Sequence, residues 1–258
     1  MRVRFWRPPR RLGHGEEATL VEHLEELRQR LFVCIAAVTI GWIAAFIVHG
    51  QVIHLLSAQL PPQHRKLLTL GIGEPFMTSV WVSLYLGFLV ALPVVLWQAW
   101  AFFIPAVEKT HERMLQAFVF LATALMVTGV VFGYYIALPA AAKFLTNFDS
   151  SIYNVQIQAR PYINFATMVL LAMGIVFELP LFVVGLTRLG IVSTDKLRRN
   201  RRVGYFIVAC IGVALPGVDP VTTFFETIPL AILYELSIWL SVLLDRRTAR
   251  ATAAASPT

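Results

Sequence analysis

The sequence predicts an all-α, polytopic membrane protein with six transmembrane helices, both termini on the cytoplasmic side, and short fifth and sixth spans forming a hairpin. Three observations carry this. Of the 258 residues, 57% are hydrophobic and only 14% charged, against roughly 25% charged in a soluble domain. The charges gather in short clusters between apolar runs, and most runs approach the about 20 residues a helix needs to cross a bilayer core. Finally, Lys and Arg sort by loop: 18 of the 22 fall on one side, and only Arg65, Lys66, Lys143 and Arg160 on the other. Cationic loops are retained in the cytoplasm, so a bias this steep places both ends inside.

Residues 1–18 contain Arg2, Arg4, Arg7, Arg10 and Arg11 among prolines, which predicts a disordered cytoplasmic arm near anionic lipid. Thr19 with Glu22 forms a capping box. A short amphipathic helix with Leu20, Leu24, Leu27 and Leu31 on one face then feeds the first span, about 31–48. That span has the basic flank of a signal peptide, but it lies late in the chain, lacks a clear A-x-A site, and is followed by further spans.

A polar loop around Pro61–Lys66 leads to the second span, about 75–97, with Pro75 in its first turn. The apolar stretch runs on to Pro105 and is too long for one span. Its Trp-rich end is expected to form an interfacial helix. After a charged loop from Glu108 to Arg113, the third span covers about 114–138 and is expected to stop at Pro139. The fourth covers about 162–187 and precedes the most basic loop, Arg188–Arg202, where Ser193 is placed to cap a short helix. The fifth, about 203–216, is short. It turns through Pro216–Pro220 into the sixth, about 221–243, and a basic, Ala-rich cytoplasmic tail fills 244–258. One short arm in a tight hairpin predicts local bilayer thinning or burial against neighbours. The three divisions are thus 1–18, 19–243 and 244–258.

The net charge of +7 is explained by the inner loops, and the pattern offers no nucleic-acid fold. Cys34 and Cys210 lie in apolar runs without metal spacing and read as small buried hydrophobes. The six histidines form no paired-ligand pattern. No phosphate-binding glycine loop, G-x-S-x-G or HExxH occurs. Neither an enzyme nor a cofactor is indicated.

The few acids are therefore informative. Glu22, Glu25 and Glu26, with Glu108 and Glu112, lie on the inner face in a basic surround. A carboxylate there can receive a guanidinium through two parallel hydrogen bonds, so this face suits a cationic, arginine-bearing ligand. The alternative is ordinary helix pairing, such as Glu26 with Arg30 four residues on. Glu178, before Leu179-Pro180, lies inside the fourth span. An acid at that depth costs at least about 2.5 kcal/mol and marks a polar path, or else snorkels with no role. Glu226, two turns into the sixth span, is expected to snorkel to the outer interface.

These residues also resemble a known family, TatC, the polytopic receptor subunit of the twin-arginine protein translocase. The resemblance spans about residues 19–243. It rests on His23-Leu24-Glu25-Glu26-Leu27-Arg28, Pro75-Phe76, Trp97-Gln98-Ala99-Trp100-Ala101-Phe102 with Pro105, Phe177-Glu178-Leu179-Pro180, Leu197-Arg198-Arg199, Asp219-Pro220 and Tyr234-Glu235. Their order, with six spans and a short fifth, makes the match specific.

The resemblance implies a receptor that recognises twin-arginine signal peptides of folded precursors, acts with single-span TatA and TatB, and draws on the proton-motive force in the inner membrane. It places the recognition acids at Glu26 and Glu112, with Arg28 in the same motif. It also places Glu178, Gln98 and Asp219 as polar positions within the membrane. The loop from Pro105 to Glu112 is one residue longer than the family spacing, which leaves Glu108 as a rival to Glu112. Glu226 stands where the family is apolar. Two other readings remain: a proton-coupled secondary transporter for a small solute using Glu178, against which the halves show no inverted repeat, and a scaffold without a ligand.

Overall fold

The structure is a computed structural model that describes residues 20–103, 109–188, 190–217 and 219–255. Among them the chain is helical apart from loops and a single bridge, Leu68 to Gln158, between two of those loops. The helices are α1 (Leu20–Ile47), α2 (His49–Ala58), α3 (Glu74–Phe103), α4 (Lys109–Phe132), α5 (Leu138–Asn147), α6 (Ala159–Val176), α7 (Leu179–Arg188), α8 (Thr194–Arg199), α9 (Arg201–Ala214) and α10 (Pro220–Ala255). Five helical stretches among the described residues are long and apolar enough to cross a membrane: His23–Ile47, Glu74–Phe102, Gln116–Asn147, Ala159–Arg188 and Pro220–Arg246. The 14-residue α9 supplies the short helix expected fifth.

Several boundaries differ from those expected. The amphipathic start and the first span form one helix, α1. The region after it is not a plain loop, because α2 folds back there. Its Leu56, and Leu60 just beyond, are each 2% exposed. The tyrosines Tyr134 and Tyr162 hold it by donating to the Leu55 and Leu56 carbonyls at 3.2 and 2.8 Å. No separate interfacial helix follows the second span, since α3 runs 30 residues straight through Pro93, about 45 Å.

Pro139 does not end the third span. A five-residue π turn, Gly133–Ala137, joins α4 to α5, and the Leu138 N–H reaches back to the Gly133 carbonyl. A proline ring ordinarily collides with the carbonyl four residues earlier. The widened turn moves that carbonyl aside, so the helix continues. The fourth span is interrupted, with α6 closing at Phe177 and α7 starting at Leu179 beside Pro180. This broken helix is central: 61% of its most apolar window is buried, against a third or less in the other four.

The helices meet through small residues, as membrane helices without a hydrophobic driving force must. At the α1–α3 crossing a Cβ on Gly41 would lie 2.6 Å from the Gly87 carbonyl oxygen, and one on Gly87 would lie 2.4 Å from the Trp42 nitrogen. Two buried clusters complete the core. One joins Leu56, Val82, Leu138 and Ile163, and the other joins Met173, Phe177, Val208, Leu230 and Ile238.

Candidate functional site

The Gly41–Gly87 crossing sets what meets where the start of α1 lies beside the end of α3. The helices run antiparallel, and Arg30 and Gln98 each lie eleven residues from their glycine. They therefore arrive at one level, and the Arg30 Nη1 donates to Gln98 Oε1 at 3.2 Å. On the other side the Arg30 guanidinium takes Glu26 Oε1, with Nε at 3.1 Å and Nη2 at 2.5 Å. The helix pair considered from the sequence thus forms, and it extends into a three-residue chain from α1 to α3.

His23, Glu26 and Arg30 share the α1 face turned to α3. The His23 ring stacks on Phe102 with centroids 4.3 Å apart, and its Nδ1 stands 3.9 Å from Glu26 Oε2. Among the described residues that oxygen accepts no hydrogen bond and has no other ion pair. A second stripe faces away: Arg28 pairs with Glu25 at 3.6 Å and lies 5.7 Å over the Phe32 ring. Glu26 therefore keeps one carboxylate oxygen turned to a half-exposed surface. Glu112 lies in the first turn of α4. Its side chain, the whole of Glu108, and the Thr19 cap lie outside the described residues.

Glu178 sits at the α6–α7 break. It is 9% exposed, and its Oε1 has no hydrogen-bond partner among the described residues. Its backbone serves the break: the N–H donates to Ile175 O at 3.0 Å, and the carbonyl receives Phe182 N–H at 3.0 Å. Asp219 is committed elsewhere, as the cap of α10. Its Oδ1 accepts from the Val221 and Thr222 N–H groups at 3.1 and 2.8 Å, and its Oδ2 from the Thr222 hydroxyl.

Two expectations are corrected. Glu226 does not snorkel: it is 0% exposed, and both carboxylate oxygens are buried without a partner among the described residues. The preceding turn folds over it, so that a Cβ on Gly217 would come 3.5 Å from Oε2. Cys210 is not buried but exposed on α9, and Cys34 is half-buried. Ser193 behaves as its position suggested, accepting the Lys196 N–H at 3.4 Å.

Two acids connect distant segments in a way their place in the sequence does not announce: Glu235, known from the sequence only as part of the Tyr234-Glu235 motif, and Glu74. Glu235 ties α10 to α9 through Arg201 at 3.0 Å and the Tyr205 hydroxyl at 2.9 Å. Glu74 joins the two loops opposite the Glu26 end. Its Oε2 accepts from the Leu70 and Gly71 N–H groups, and its Oε1 accepts from the Gln158 side chain at 2.9 Å and the Arg160 N–H at 3.2 Å. The partners that join separate segments, Arg201 and Tyr205 for Glu235 and Gln158 and Arg160 for Glu74, lie 30 to 86 residues away, beyond any local spacing rule.

Known proteins share this fold. Residues 22–229 match the family described as Sec-independent protein translocase protein (TatC). The TatC of Carboxydothermus hydrogenoformans is 33% identical over 86% of this chain and 92% of its own length. TatCd of Bacillus subtilis is 32% identical over 93% and 98%. A crystal structure described as the twin arginine translocase receptor TatC superposes with a TM-score of 0.76 at 33% identity, covering 85% of this chain and 99% of that one. The chain is thus a multi-pass membrane component of a protein translocase, a transport subunit, and it belongs to the TatC family.

Proposed function

We propose that this chain is the receptor of the translocase: it recognises the twin-arginine signal peptides of folded precursors at the cytoplasmic face of the inner membrane, and there nucleates assembly with TatA and TatB. The observation that carries this is the Glu26 carboxylate. One oxygen is held by Arg30, and the other is left to a half-exposed surface on a face otherwise rich in cations. A carboxylate offers about four lone-pair sites, so Glu26 takes an incoming guanidinium without releasing Arg30. Gln98 keeps Arg30 in place meanwhile. Glu112, or Glu108, supplies the counter-charge for the second arginine from the neighbouring loop. Arg28, in the same motif and paired with Glu25, completes the signal-peptide-binding set from the neighbouring stripe of α1. The 18-to-4 distribution of Lys and Arg supports both termini inside, with 1–18 and 244–258 as cytoplasmic extensions of the membrane domain.

Purified protein in detergent is expected to capture a twin-arginine peptide and to bind its Lys-Lys variant at least about tenfold more weakly, because an ammonium cannot make the paired fork. Equal capture of the two peptides, read by fluorescence anisotropy, removes the receptor reading.

Glu178 has the second role. An acid without a partner at a helix break supports Glu178 as a polar partner for a neighbouring TatA or TatB span. Glu178→Gln keeps the acceptor and Glu178→Ala removes it. Co-purification of TatA and TatB is expected to survive the first change and to fall several-fold with the second. Wild-type recovery with Glu178→Ala sinks this role. Asp219, saturated by its cap, acts through the geometry of the α9–α10 turn.

A further inference from the structure

At the end of the molecule away from Glu26, a groove of about 350 Å³ lies between α3 and α6. Its floor is made of buried residues: Thr78, Val82, Ile163 and Thr167 are 5%, 2%, 1% and 6% exposed. The two hydroxyls of that floor are already spent on carbonyls of their own helices. What remains is an apolar trough. One wall carries Trp81 and Tyr85, stacked with centroids 5.9 Å apart. The other carries Arg160 and Asn164, one helical turn apart and both exposed.

Arg160 is the one ionisable side chain in that lining with a full charge. Its backbone N–H is fixed by Glu74, and its guanidinium has no partner among the described residues. It stands on the first turn of α6, directly beneath the loops that Glu74 joins, and so at the level of the headgroups. From Arg160 the groove floor runs seven residues inward to Thr167, about 10 Å. A cation at the mouth, an aromatic wall at the interface and a dry channel leading into the bilayer form a graded surface. A hydrocarbon chain fits it.

We propose that this groove is a binding site for one anionic phospholipid, with the phosphate on the Arg160 guanidinium and the Asn164 amide, and the start of one acyl chain laid over Val82 and Ile163 beside Trp81. Arginine suits the phosphate because its planar fork donates two hydrogen bonds at once. The inward-cationic bias of the chain leaves only four basic residues at this end, and Arg160 is the one at the mouth of the groove. The site rests on the membrane-spanning fold alone and is independent of peptide recognition.

The test uses the full chain, delipidated in detergent and titrated with phosphatidylglycerol carrying brominated acyl chains, with tryptophan fluorescence as the readout. Wild type is expected to show a saturable quenching phase that is absent in Trp81→Phe. The phase should shift to about tenfold higher lipid in Arg160→Gln and to a midpoint between that and wild type in Arg160→Lys, which keeps the charge but loses the fork. Brominated phosphatidylcholine should give a weaker phase. No saturable phase in wild type, or the same midpoint in wild type and Arg160→Gln, overturns the proposal. So does complete displacement of the lipid by a synthetic single-span helix, which would make the groove a helix site. Melting of each variant with wild type shows that a shifted midpoint reports binding rather than misfolding.

Discussion

Replacement of Glu26 by Ala is expected to weaken twin-arginine peptide binding by about ten- to hundredfold. The estimate follows from a charge-assisted hydrogen bond, worth about 1.5–3 kcal/mol where water is partly excluded, and from tenfold per 1.4 kcal/mol. Glu26 side chains are 37% exposed here, so the lower end of that range applies to a wet surface. Glu26→Gln retains an acceptor without the charge and is expected to fall between the two. Neither change unfolds the protein, because Glu26 stands at the exposed start of α1, and Arg30 keeps its bond to Gln98. Anisotropy titration with twin-arginine and Lys-Lys peptides checks this. An unchanged affinity in Glu26→Ala means that the α1 carboxylate is only the helix partner of Arg30.

The second large effect lies far from any charge. Gly87→Leu is expected to destabilise the protein by about 3 kcal/mol or more. Overpacking costs about 1–3 kcal/mol where side chains can move aside, but here the obstacle is backbone. A Cβ at 87 would sit 2.4 Å from Trp42 N, 2.5 Å from Trp42 Cα and 2.7 Å from the Gly41 carbonyl carbon. The helices must part, and eleven residues away the Arg30–Gln98 bond is stretched with them. Peptide affinity should therefore fall together with the melting temperature. Gly50→Ala is the matched control, since a Cβ there meets nothing within 4 Å and a helical alanine gains up to about 1 kcal/mol over glycine. Thermal unfolding in detergent separates the two. A Gly87→Leu protein that melts with wild type would show that α1 and α3 do not meet closely.

Much of the geometry around Glu26 was legible because it obeys local rules. Glu26 and Arg30 are four residues apart on a helix, and that spacing alone brings them together. Ser193 capped its helix for the same reason. Gln98 entered through resemblance, and its bond to Arg30 became visible only with the crossing of α1 and α3. Pro139 misled because the rule that proline ends a helix assumes a regular turn before it, and Gly133–Ala137 supplies a wider one. Helix α2 was missed because its polar residues His49, Gln51 and His54 hide a short apolar face that gains burial only when α3 and α6 pack against it.

By itself, the sequence determined that the chain is helical and membrane-spanning, where its long apolar runs fall, and which face gathers its cations. These follow from the free energy of putting each residue in hydrocarbon or in water, which depends on composition along the chain and not on neighbours in space. The tertiary structure alone decided that Glu226 is sealed beneath the Gly217 turn, that Glu74 and Glu235 join distant segments, and that Arg160 opens onto a groove. Burial and pairing are properties of helix packing, set by which small residues allow two backbones to approach, and no spacing within one segment encodes which distant segment comes to lie beside it.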